Sequence, residues 1–341
     1  MSHWSARFPR VPLCHRPTPL EPAPNLSETL GTPLWIKRDD CTGLAFGGNK
    51  ARQLEWYLGD ARARGADTIL ITGAVQSNYV RSAAAAAAKL GLAICVQLEE
   101  RVPNTDQAYQ SSGNALLNQL LGAVVRSYPK GEDEAGADQA LDAWADELRR
   151  EGRSPYVIHL GTEHPPLGAL GYVEAAEEFL AQAAALGLSG GTIWLPSGSS
   201  HTHAGVLVGL ALFGGSDWQV TGACVRRDAP TQTERVLATT ERLARLLDVP
   251  NPVAPQRVRL VDDTLAPGYG RLNPETLDAM RLFAQKEGLI LDPVYTGKAA
   301  AALVGRIRAQ EALAAPVVFL HTGGTPALFG YSDALSGFLT D

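Results

Sequence analysis

Lys50 closes the run Gly43-Leu-Ala-Phe-Gly-Gly-Asn-Lys50. Paired glycines permit a loop that other residues form at a cost, and the lysine follows at the start of a helical stretch carrying Arg52, Leu54, Glu55 and Tyr57. A cation there opposes the helix dipole. It reads either as a solvated surface lysine or as an amine whose lowered pKa lets it bond a carbonyl carbon. A second polar turn, Gly73-Ala-Val-Gln-Ser77-Asn78-Tyr79, joins the strand pattern Thr68–Thr72 to an alanine-rich helix. Ligands of α/β proteins sit at such strand ends, although Ser77 or Asn78 serves equally well as a helix N-cap. The third turn, Ser197-Gly198-Ser199-Ser200-His201-Thr202-His203, carries glycine and hydroxyls out of a strand and into a helix. Its backbone N–H groups and hydroxyls suit a phosphate dianion, yet it is neither a P-loop nor a dinucleotide fingerprint. His201 and His203 have no acidic or cysteine partner nearby in sequence, so local hydrogen bonding is expected of them rather than metal binding. Further polar turns are Ala266-Pro-Gly-Tyr269-Gly, Leu291-Asp-Pro-Val-Tyr295-Thr296-Gly-Lys298 and His321-Thr322-Gly323-Gly324. They place two phenols and a hydroxyl beside glycines; Lys298, at a helix start, reads as solvated.

Positioning these turns requires strands that end together. Apolar runs alternate with helical patterns: Thr68–Thr72, Ala93–Leu98, Ala123–Tyr128, Tyr156–Leu160, Thr192–Pro196, Gln219–Val225 and Pro316–His321 are expected strands. Helices are expected between them, including Ser82–Leu90, Ala204–Phe213 and Gly297–Gln310, with the run Ala83–Ala88 as a close-packed helix face. Such alternation predicts an α/β fold of parallel sheets covered by helices. The proline-rich first 34 residues read as an extended wrap. With 341 residues, 45% of them hydrophobic, the chain has material for about two domains. A net charge of -6 gives no general attraction to nucleic acid or anionic lipid, and no apolar run reaches the ~18 residues of a membrane span. The N-terminus lacks a secretory profile, and the four cysteines are widely spaced. A cytoplasmic protein with reduced thiols and no metal is therefore expected.

Taken as an ordered set, G-G-N-K, Q-S-N, S-G-S, D-P-V-Y-x-G-K and T-G-G resemble the D-cysteine desulfhydrase and 1-aminocyclopropane-1-carboxylate (ACC) deaminase family, from Lys37-Arg-Asp-Asp40 through Phe329. Members use pyridoxal 5′-phosphate (PLP) on the fold of the tryptophan synthase β-subunit. The resemblance implies a two-domain PLP fold type II, with residues 1–51 and 168–341 as the large PLP-binding domain, 52–167 as the small one, and the cofactor in the cleft between them. Lys50 would hold PLP covalently and move a proton at the substrate's Cα. Asn49, Asn78, Ser197, Gly198, Ser199, Ser200, His201, Thr202 and Thr322 would bind the cofactor. Ser77, Asn78, Tyr79, Thr162, Tyr269 and Tyr295 would face a small amino-acid substrate, with Ser77, Tyr269 and Tyr295 also catalytic. The resemblance further implies a homodimer. Thr296 and Thr322 match the desulfhydrases, which implies α,β-elimination from D-cysteine to pyruvate, sulfide and ammonia. L-cysteate sulfo-lyase, ACC deaminase and a non-catalytic PLP- or phospholigand-binding protein are the alternatives. Phe46, Tyr79, Glu163, His164 and His201 depart from the family pattern, and Glu163 and His164 would stand where a small substrate passes.

Overall fold

The computed structural model describes residues 4–103, 106–161 and 163–339. Ten strands form two sheets: β1 (Leu20–Pro22), β2 (Leu34–Lys37), β3 (Thr68–Ala74), β4 (Ala93–Glu99), β5 (Val124–Tyr128), β6 (Pro155–Ile158), β7 (Gly191–Ser197), β8 (Trp218–Cys224), β9 (Arg259–Val261) and β10 (Val317–Leu320). One six-stranded sheet runs β1-β2-β10-β7-β8-β9, and a four-stranded sheet runs β5-β4-β3-β6. Every pairing is parallel except β1 with β2, where Leu20 faces Lys37. All seven residues of β3 and of β7 are buried, as strands covered on both faces must be. No described helix is long and apolar enough to cross a membrane.

The helix Asn49–Ala63 lies between the apolar cores of the two sheets. Its Trp56 packs with Tyr172, Leu207 and Val318, whereas Leu54 and Leu58 pack with Ile69, Ile71 and Val80. Buried polar groups fix its position further. Arg52 donates to both carboxylate oxygens of Asp39 at 3.0 Å, and Tyr172 donates to Asp39 at 2.6 Å. Burial alone would raise the Asp39 pKa, but Arg52 and Lys37 hold it below the usual range. At the helix start, a Cβ on Gly47 (φ +63) would fall 2.0 Å from the Asp40 carbonyl oxygen, so only glycine fits this turn.

Ala83–Ala87 of the alanine run are buried, as expected of a close-packed helix face, whereas Ala88 is exposed, and the helix begins earlier, at Asn78. The helix expected from Ala204 likewise begins at His201. Strands β1, β2 and β9 are additions to the sequence reading, being three or four residues long and thus too short for a period. The N-terminal segment is only partly an extended wrap, since it includes β1 and the helix Pro24–Leu30, which starts with proline and ends at Gly31 in the left-handed region. Where it does wrap, buried Glu55 receives the Leu13 and Cys14 amides at 2.7 and 2.8 Å.

Candidate active site

A cleft of about 900 Å3, its open mouth included, lies where β3, β7 and β10 end and the Asn49–Ala63 helix begins. Asn49, Lys50, Ser77, Asn78, Tyr79, Ser197, Gly198, Ser199, Ser200, Thr202, Tyr269, Tyr295 and Thr322 all line it. Residues from six separated turns therefore meet at one place. His201 does not join them. Its backbone opens the helix, but its buried ring turns toward Tyr57, 6.4 Å between centroids, while His203 takes a place in the lining. Thr162 lies outside the described residues. Phe46 is exposed on its loop, and neither Glu163 nor His164 lines the cleft, so the expectation that those two flank a substrate path is corrected.

Lys50 is the central cation. Its Nζ stands 4.7 Å from the centre of the Tyr79 ring, and lost hydration lowers its pKa to about 8. The side chain stays partly accessible, as a group that must meet a ligand has to be. With a pKa near 8, about one amine in ten is neutral at pH 7, several hundred times more than for an ordinary lysine. Because only the neutral amine attacks an aldehyde, the rate at which apoprotein captures PLP should rise with pH and reach half its maximum near pH 8. Stopped-flow absorbance across pH 6–10 checks this; a midpoint near 10 would contradict it.

The hydroxyls around the cleft are oriented by what they accept. Thr202 Oγ1 accepts amide N–H bonds from Asn49 (2.9 Å) and Gln53 (3.0 Å), which leaves its own proton to donate. Ser77 caps its helix by accepting from the Val80 amide at 3.3 Å, so its proton too is available. The N-cap and ligand readings of Ser77 are thus compatible. Asn114 donates to Asn78 Oδ1 at 2.8 Å, which points the Asn78 NH2 group elsewhere as a donor. Arg81 fastens this group to the lysine loop, donating to Asn114 Oδ1 at 3.2 Å and to the carbonyl oxygens of Ala45 and Gly47. Ser197–Thr202 form the other wall. Ser200 sits in the left-handed region (φ 74) at the head of the helix His201–Leu212, with its hydroxyl 2.6 Å from Thr239. Gln232 donates to Ser197 at 3.0 Å. Helix N-terminus, backbone amides and a free hydroxyl proton together suit a phosphate dianion.

Opposite them, the Tyr269 and Tyr295 hydroxyls are 2.7 Å apart. Burial, then the neighbouring Tyr269, push the Tyr295 pKa well above its ordinary value, so the phenol stays protonated. Lys298 is fully buried rather than solvated, because its amine donates to the Leu265 and Gly268 carbonyls at 2.7 and 2.8 Å and so ties down the loop carrying Tyr269. Lys298→Met is expected to strand two carbonyls, destabilise the fold by about 2 kcal/mol and lower kcat with PLP still bound. Unfolding curves and steady-state rates check both effects. Thr296 stays out of the cleft, its hydroxyl spent on Asp292 at 2.7 Å.

The sequence reading missed a charged group in the lining: Arg101, Glu134, Arg226, Arg227 and Arg235. Arg226, Arg227 and Arg235 converge on the Glu134 carboxylate, Arg226 at 2.7 Å. Arg101 pairs with Glu99 at 2.7 Å. Arg226 and Arg227 follow the carboxyl end of β8, and that placement is the signal by which two of them were detectable.

A lysine amine of lowered pKa, a phosphate-suited helix start and flanking hydroxyl donors define a site that fits PLP. The family model described as "Pyridoxal-phosphate dependent enzyme" matches residues 11–323. The D-cysteine desulfhydrase of Salmonella choleraesuis (strain SC-B67) is 43% identical over 331 residues, 96% of this chain and 98% of that protein. The enzyme of the same name from Klebsiella pneumoniae subsp. pneumoniae is equally similar, again at 43% with the same coverage. A solved structure described as an ACC deaminase homologue superposes with a TM-score of 0.87 at 37% identity, covering 98% of this chain and 97% of the other. A fungal L-serine ammonia-lyase from Rhizomucor miehei, at 19% identity and a TM-score of 0.65, shares the fold. The chain belongs to the pyridoxal-phosphate-dependent enzymes, in the D-cysteine desulfhydrase and ACC deaminase family, and is a PLP-dependent lyase of fold type II.

Proposed function

We propose that the enzyme catalyses α,β-elimination from a β-substituted amino acid, with D-cysteine as its substrate: D-cysteine and water give pyruvate, hydrogen sulfide and ammonia. The observation that carries this reading is the placement of Lys50, with its lowered pKa, in one cleft with the hydrogen-bonded pair Tyr269 and Tyr295. The 43% identity to D-cysteine desulfhydrases supports the choice of substrate.

Bound PLP supplies an electron sink for the pair left at Cα when its proton departs. The rest falls to the chain. Lys50 would anchor the cofactor and, with its amine free, would take the Cα proton. The Ser77 hydroxyl would donate to the substrate carboxylate and the Asn78 amide to the cofactor's phenolic oxygen. Thr202 and the amides of the Ser197–Thr202 turn would hold the phosphate. Tyr295, partnered by Tyr269, supplies a proton to the departing thiolate. Thr322 is a neutral wall residue, and a neutral partner at the ring nitrogen would suit elimination of a good leaving group better than ring opening of a cyclopropane. The large domain, in this reading, comprises residues 1–51 and 168–341, and the cofactor sits between it and the four-stranded unit.

The test is a panel of D-cysteine, L-cysteate, D-serine and ACC with purified holoenzyme, scoring sulfide and pyruvate together. Sulfide and pyruvate in equal amounts from D-cysteine, with ACC inert, are expected. No sulfide from D-cysteine while another amino acid yields pyruvate would overturn the substrate assignment.

A further inference from the structure

Outside the cleft, the helix Glu134–Arg150 and the segment after β6 bring Asp138, His159 and His164 together, with one ligand atom of each lying within 4.8 Å of the others. We propose that these three side chains form a binding site for a transition-metal dication of the zinc type, which clips that helix to the chain at His159 and His164.

The chemistry of the set is the first argument. Two imidazoles and a carboxylate, with one position left for water, match the donors and number that zinc accepts. The second is how His159 is held. Its Nε2 faces Asp142 at 3.2 Å, while its Nδ1 is buried and has no hydrogen-bond partner among the described residues. A carboxylate on one ring nitrogen with the other left bare is the arrangement that orients a metal-binding imidazole. The third is charge. Besides Asp138, the Asp142 carboxylate lies 3.2 Å from His159 and the Glu163 carboxylate 3.9 Å from His164, so further negative charge surrounds the set.

The His159 and His164 rings are stacked, 3.9 Å between centroids and 8° between planes. Bonds of about 2.1 Å to a single ion require the two lone pairs to converge. His164, with 38% of its side chain exposed, is the ring free to turn, whereas His159, at 13%, is held. The clip would also bear on the active site. Leu160, beside His159, lines the cleft, and its carbonyl accepts from Arg235 at 2.9 Å. A bound ion would therefore stiffen one wall of the catalytic cleft without touching substrate.

Holoenzyme stripped with chelator and dialysed against roughly 10 µM zinc is expected to retain one ion per chain, and the His159→Ala/His164→Ala double variant none. Asp138→Asn should bind at least about ten-fold more weakly. All three proteins should keep the visible absorbance of bound PLP, which shows that the fold persists. Equal zinc retention by the wild type and the double variant would place the metal elsewhere and overturn the proposal. So would absence of retained zinc in the wild type.

Discussion

Lys50→Ala is expected to abolish covalent attachment of the cofactor and to lower turnover by on the order of 10⁴-fold or more. The size follows from the two tasks that end together, anchoring the aldehyde and moving the proton at Cα. No neighbouring group can substitute. Among the described residues, the other amine near the site is Lys298, and it is committed to two backbone carbonyls of the 265–268 loop. The fold, by contrast, should barely notice. The Lys50 amine rests on the Tyr79 ring, an interaction worth about 1 kcal/mol, and desolvation already counts against it. Melting within a few degrees of the wild type, together with loss of the attached cofactor's visible band, is the expected pair of results. Rates are checked by pyruvate release.

The second large effect is expected at Tyr295. Tyr295→Phe should lower kcat by roughly 10²–10³-fold while PLP binding persists, since the phenol is assigned a proton transfer and no contact with the phosphate turn. Its partner decides how the effect divides. Tyr269 and Tyr295 share one hydrogen bond at 2.7 Å, so Tyr269→Phe removes the partner and leaves the acid in place, with a smaller loss. The double variant should then resemble Tyr295→Phe alone, the mark of two groups acting as a unit. The raised Tyr295 pKa carries its own sign. A phenol pushed above its usual value remains a proton donor through the alkaline range, so no falling limb from Tyr295 should appear in kcat below about pH 10. Steady-state kinetics of the three variants across pH 6–10 checks these expectations. Additive losses from the two single substitutions would count against a coupled pair.

Much of this site is legible in the sequence, because its chemistry sits in short contiguous turns at strand ends. Gly47-Gly48-Asn49-Lys50, Gln76-Ser77-Asn78 and Ser197–Thr202 each state their own chemistry, and the strand-helix alternation around them is enough to place them on one edge of a parallel fold. What escaped depends on tertiary placement. Arg226, Arg227 and Arg235 read as surface charge until Glu134, far away in sequence, is brought against them. Lys298 resembles any lysine at a helix start, and only the folding back of residues 265–268 buries it. Asp138, His159 and His164 have no sequence spacing that announces a ligand set, since they come from a helix face and a turn. His201 departs in the opposite sense: its backbone opens the expected helix, but helical geometry sends its ring toward Tyr57 while Thr202 faces the cleft. The short edge strands β1 and β9 were invisible because three residues cannot display an alternation.

Borohydride reduction of the holoenzyme, followed by proteolysis and mass mapping, tests the central assignment most directly. A reduced cofactor mass confined to the peptide containing Lys50 is the predicted result. The same mass on the peptide of another lysine, or unmodified Lys50 in protein that turns over D-cysteine, would contradict it.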